Sequence, residues 1–83
     1  MLWKPLYQTV PGETVRVRKL CSEIGIRRRL LDMGLTEGAS VTCLYRSPFG
    51  DPTAYFIRGA VVALRQEDAE NITVFTEGTP LWV

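Results

Sequence analysis

Apolar and charged residues alternate over Val15-Arg16-Val17-Arg18, the two-residue period of a half-buried strand with Val15 and Val17 turned inward. The strand can run on to Leu20. The period then lengthens: Ile26, Leu30 and Met33 stand at i, i+4 and i+7, which predicts a helix from about Glu23 to Met33 with that side facing the core. Ser22 is placed to cap its start, because a serine hydroxyl accepts from a free backbone N–H. Gly34 stands where the chain must turn left-handed, and such a cap folds Leu35 back onto Leu30. After the turn Thr36-Glu37-Gly38, a second strand is predicted from Val41 to Arg46. Ser47-Pro48-Phe49-Gly50-Asp51-Pro52 has strong turn chemistry. Ala54 to Arg58 and Ala60 to Arg65 read as two strands joined at Gly59 by a tight hairpin or a bulge. Gln66 to Asn71 is polar and suits one helical turn, and Ile72 to Phe75 is the last strand. Met1 to Val10 is a lead-in with Trp3, Leu6 and Tyr7 as anchors, and Glu77 to Val83 is a tail.

One echo runs through this pattern. Gly12-Glu13-Thr14-Val15-Arg16-Val17 and Gly38-Ala39-Ser40-Val41-Thr42-Cys43 share the spacing Gly-x-x-apolar-x-apolar, so a turn glycine launches each strand. The match is too short for a tandem repeat. Five short strands with tight turns predict a mostly β fold: a small closed barrel that hides its sheet edges, with the helix capping an open end. At 83 residues the expectation is one domain over residues 1–83, with its core at about residues 6–76.

Composition narrows the chemistry. Ten Lys and Arg against nine Asp and Glu give a net charge of +1, without the basic excess of a dedicated nucleic-acid binder. There are 0 His, which excludes histidine bases, histidine triads and histidine metal ligands. With 2 Cys there is no four-cysteine zinc site. No apolar stretch follows Met1-Leu2-Trp3-Lys4-Pro5 as in a signal peptide, so a cytosolic protein with reduced Cys21 and Cys43 is expected. The longest apolar run, Ala60 to Leu64, has the length of a strand and falls far short of the ~20 residues of a membrane span.

Taken in order, Pro11-Gly12-Glu13, Arg28-Arg29-Leu30, Met33-Gly34-Leu35, Glu37-Gly38, Ser47-Pro48, Gly50-Asp51-Pro52, Arg58-Gly59 and Leu64-Arg65 resemble the FeoA family, ferrous iron transport protein A. The resemblance covers about Leu6 to Val74; no single piece is specific, but the ordered set is. It implies an SH3-like β-barrel with a helix inserted after the first strand. It also implies a cytosolic accessory protein of ferrous iron uptake that touches the membrane only through its partner, a FeoB-type permease carrying its own GTPase domain. Related barrels form the C-terminal domains of iron-dependent repressors, but no helix-turn-helix region is present here. The Trp3 and Leu81-Trp82-Val83 extensions lie outside the resemblance.

No catalytic constellation is apparent, no resident cofactor is implied, and the chain lacks the phosphate loop a GTPase needs. Glu67-Asp68-x-Glu70 offers the carboxylates a hard cation wants, but neither an EF-hand spacing nor a His-carboxylate triad supports a metal, and a solvated polar turn explains it. Cys21 and Cys43 read as small core residues, since two thiolates alone make a poor metal set. Arg27-Arg28-Arg29 is the conspicuous charge run. Successive helical residues diverge by ~100°, so Arg28 and Asp32 fall opposite the core, where they can pair weakly. Leu31 lies well off the core face beside Arg27: either the lead-in or tail covers it, or it is an apolar point for a partner. Phe49, at the tip of a Pro/Gly loop, poses the same choice. The expected docking surface is therefore Arg27, Arg28, Leu31 and Phe49, since guanidinium groups suit an acidic partner. Two alternatives stay open: a nucleic-acid-binding barrel using Arg16, Arg18, Arg46 and Arg58, and a metal-sensing domain. Homo-oligomerisation is also open.

Overall fold

The computed structural model describes residues 3–76. Strands β1 (Trp3–Pro5) and β2 (Thr14–Leu20) come first, and helix α1 (Ile24–Asp32) follows them. Next are β3 (Ser40–Arg46), β4 (Thr53–Ile57) and β5 (Ala60–Leu64). The short helix α2 (Gln66–Ala69) and β6 (Ile72–Phe75) complete the order. All pair antiparallel in one sheet, in the order β1-β6-β2-β3-β4-β5.

Two expectations change here. The sheet has six strands, because the lead-in contributes β1, which pairs Trp3 with Phe75 and Pro5 with Thr73. Three residues ending in proline carry no readable alternation; only the partner strand makes them a strand. Among the described residues the sheet also does not close: β1 and β5 are its two edges. Its curvature comes from register shifts between Val17 and Lys19 and between Cys43 and Tyr45, where an extra residue bends the strand.

The two echoed segments pair with each other. Val15 stands opposite Val41, and the flanking bonds repeat about that point. The Gly12 N–H donates to the Cys43 carbonyl at 2.8 Å, and the Gly38 N–H donates to the Val17 carbonyl at the same distance. Both glycines have positive φ, so each turns the chain sharply enough to enter its strand while its N–H closes the partner's ladder. The repeated spacing is a local two-fold arrangement at the centre of the sheet.

Inside the sheet lies one apolar cluster that includes Leu6, Val15, Val17, Leu30, Val41, Tyr55, Ile57, Ile72 and Val74, with Ile26 and Met33 packed against it. The inward phase of α1 and of β2 is as the sequence predicts. The helix start differs by one residue: the cap is Glu23, whose carboxylate accepts from the Gly25 and Ile26 N–H groups, both at 3.0 Å. A glutamate one position later reaches these donors, and Ser22 is left outside the helix. The helix end is as expected. The Leu35 N–H reaches the Leu30 carbonyl and the Gly34 N–H reaches that of Leu31, with Gly34 at φ +94°. Leu30 and Leu35 are both fully buried.

The lead-in is bound to the sheet. Leu6 is fully buried, and the Arg46 guanidinium donates to the carbonyls of Tyr7 and Thr9, each at 2.8 Å. Lys4 pairs with Glu13 at 2.7 Å, and the Arg18 guanidinium lies 4.6 Å from the centre of the Trp3 ring.

Candidate docking surface on helix α1

Helix α1 is held on three sides. Its core face buries Leu30. Its C-terminal turn sits against the β4–β5 hairpin, where a Cβ added at Gly34 would come within 3.2 Å of the Arg58 Cδ. Its flank is tied to α2 by the Arg29–Asp68 ion pair. Of the three consecutive arginines, therefore, one is committed inside the molecule. Arg27 and Arg28 are exposed, and their guanidinium groups make no hydrogen bond or ion pair among the described residues. The expected Arg28–Asp32 pair is not formed; the arginine that finds a carboxylate is Arg29, across the interface with α2.

The outward side of α1 is the stripe Ile24, Arg27, Arg28 and Leu31, at i, i+3, i+4 and i+7. Ile24 is 78% exposed and Leu31 37%. The described part of the lead-in thus leaves Leu31 partly open. Ile24 is an exposed apolar residue of this stripe that the sequence reading missed, although its spacing of seven from Leu31 is the signal that finds it. Two apolar side chains one helical repeat apart, with two unpaired guanidinium groups between them, suit a partner with an apolar ridge edged by carboxylates.

Phe49 is 96% exposed, so it does not tuck back onto the sheet. It is not joined to the helix stripe. Its loop enters β4 at Thr53, whereas the end of α1 meets the opposite end of β4 at Ile57 and Arg58. The predicted site residues therefore form one helical stripe plus one separate aromatic tip.

The other candidates resolve differently. Each arginine proposed for a nucleic-acid face has an intramolecular partner, and Arg58 lies in the turn after β4 rather than in a strand. Arg16 donates to the Gly38 carbonyl, Arg18 stacks on Trp3, Arg46 holds the lead-in, and Arg58 donates to the Thr36 hydroxyl. Within the acidic turn, Asp68 faces Arg29 and Glu70 accepts from the Gln66 amide. Among the described residues no three His, Cys, Asp or Glu side chains converge as a metal site would require. Cys43 is buried as expected, Cys21 is only partly buried, and both are free thiols.

Two carboxyl groups are electrostatically set. Burial alone would raise the Glu13 carboxyl, but the hydrogen bond and charge of Lys4 and the Val10 N–H together hold it below its ordinary value. Glu23 is lowered by the N–H groups of Ile26 and Gly25 at the helix start. Both carboxylates are held by groups of the fold itself: Glu13 by Lys4 and Val10, Glu23 by the first turn of α1.

A bulged, six-stranded antiparallel sheet with one inserted helix among the described residues places the chain among small SH3-like domains. A solved FeoA from Stenotrophomonas maltophilia, complexed with zinc and described as a prokaryotic SH3 domain protein, shares this fold. Its TM-score is 0.74 at 23% identity, covering 84% of this chain and 87% of that one. A family model of the FeoA domain matches residues 4–75, and the chain belongs to that family. The solution structure of a FeoA-like protein from Clostridium acetobutylicum is similar over 96% of this chain and 93% of its own, with a TM-score of 0.88 and 28% identity. A curated relative from Porphyromonas gingivalis is a fusion of Fe(2+) transport protein A with the Fe(2+) transporter FeoB. It is 42% identical over 48 residues, which is 58% of this chain, and the match spans 6% of the fusion protein's length. No helix among the described residues is long and apolar enough to cross a membrane.

Proposed function

We propose that this chain is a non-catalytic accessory protein of ferrous iron transport, working in the cytosol by docking on a FeoB-type permease at its GTPase domain. The observation that carries this reading is the outer face of α1, where the Arg27 and Arg28 side chains, without a partner among the described residues, lie between exposed Ile24 and Leu31. A helix fixed by its core face, its C-terminal cap and an ion pair presents those side chains without having to be ordered on binding, which lowers the cost of association. Family membership and the fusion of the two transport proteins into one polypeptide in a relative support the choice of partner. Phe49 supplies a separate apolar contact at the tip of its loop.

The test is capture of the permease by the tagged chain, with and without guanine nucleotide. The reading expects capture that depends on nucleotide state and is lost in Leu31→Asp, with the circular dichroism spectrum unchanged. Equal capture by wild type and Leu31→Asp would reject this face.

A further inference from the structure

The two edges of the sheet are built differently. Strand β1 is short, contains Lys4 and Pro5, and has Arg18 stacked on Trp3, all of which discourage another strand from adding. Strand β5, Ala60-Val61-Val62-Ala63-Leu64, contains no charge, no proline and no register shift, and nothing among the described residues pairs with its outer side.

The register shows which groups are open. Cys43 exchanges its backbone bonds with Gly12 and Glu13 on the β2 side, so neighbouring Thr42 directs its groups to β4 and pairs with Phe56. Phe56 is thereby committed to β3, and Val61, which stands opposite it on the other side, turns its N–H and C=O away from β4. The same parity turns the groups of Ala63 outward. The two-residue turn at Arg58 and Gly59, both with positive φ, agrees with this phase, because it makes Ile57 and Ala60 the bonded pair. Beside this open ladder, Tyr45, Phe56 and Val61 form an apolar patch on the outer face of β3, β4 and β5; Val61 is 61% exposed. Arg58 and Arg65 bracket the strand; the Arg58 guanidinium also donates to the Thr36 hydroxyl, and the Asp51 Oδ1 accepts from the Gln66 N–H.

We infer that β5 is a second docking site, which accepts an extended segment of a partner polypeptide, apolar in its middle and acidic at both ends, as an added strand bonded to Val61 and Ala63. A second copy of this chain fits worse. Pairing two β5 strands antiparallel about Val62 would bring Arg65 of one copy beside Gly59 and Arg58 of the other, like charge against like. The site is separate from the α1 face and does not depend on that reading.

The probe is a synthetic peptide of alternating valine and threonine with a glutamate at each end, titrated into the isotope-labelled full chain and followed by NMR. The Val61 and Ala63 amide resonances are expected to shift, and a lysine-ended peptide is expected to bind about tenfold more weakly. Ala63→Pro removes an outward N–H without touching the β4 ladder and should abolish the shifts. Arg65→Glu leaves the backbone unchanged and should narrow the difference between the two peptides. No shift at Val61 and Ala63, equal binding of both peptides, or edge resonances that change with protein concentration in the absence of peptide would each overturn the inference.

Discussion

Replacing Gly34 by alanine isolates what the end of α1 contributes. At φ +94° a Cβ is strained whatever space surrounds it, by roughly 1–2 kcal/mol, and the loss of unfolded-chain freedom returns about 0.4–1 kcal/mol. Gly12 has φ +92° and a Cβ there meets nothing within 4 Å, so Gly12→Ala carries these two opposing effects without any contact, roughly 0.8 kcal/mol net at mid-range. At Gly34 the new Cβ also meets the Arg58 Cδ at 3.2 Å and the Ile57 Cγ2 at 3.5 Å. The Arg58 side chain must retreat, which disturbs its bond to Thr36, so the net cost rises to about 1–2 kcal/mol. A domain of this length has ~4–12 kcal/mol in all, so both variants fold. Urea denaturation reads the difference directly: with a slope near ~1 kcal/mol/M, Gly34→Ala should lower the midpoint by about 1–2 M and Gly12→Ala by less than ~1 M. In an Arg58→Ala background the excess should disappear. Equal effects of the two glycine substitutions, or an excess that survives without Arg58, would refute the packing of α1 against the hairpin.

Further outcomes follow from the same geometry. Leu30→Ala removes a fully buried side chain and should cost ~2–4 kcal/mol, seen as a large fall in melting temperature. Phe49→Ser should leave the urea midpoint almost unchanged, within about 0.5 kcal/mol, while weakening permease capture. The folded Glu13 carboxyl titrates below its ordinary value of 4.5, so its contribution is present above that pH and is lost as the pH falls through the folded value. Stability measured from pH 6 down to about pH 3 should therefore decline more steeply in wild type than in Glu13→Gln. Lys4→Met should flatten the same curve, because Lys4 is the cation that lowers Glu13.

Much of this was legible in local pattern. The alternation of β2, the core face of α1, the cap at Gly34 and the paired glycine entries each depend on neighbours within a few residues, and the structure keeps them. What the sequence hid depends on distant partners. Strand β1 exists only because β6 lies beside it, the bulges that bend β2 and β3 carry no local mark, and the fate of the three arginines was settled by where Asp68 falls. The site was half visible. Leu31 and Arg27 are marked by their angle off the core face, whereas Ile24 sits in the first turn, one residue after the cap, where the helical period has only begun. The separation of Phe49 from the helix needed the direction of β4.

The most direct measurement is the affinity of the permease's cytosolic domain for wild type, Ile24→Asp, Leu31→Asp and Arg27→Glu, taken at low and high salt. The account predicts that each substitution weakens binding by about tenfold or more, roughly 1.4 kcal/mol, and that Arg27→Glu alone also reduces the salt dependence. Unchanged affinity in all three folded variants would contradict it.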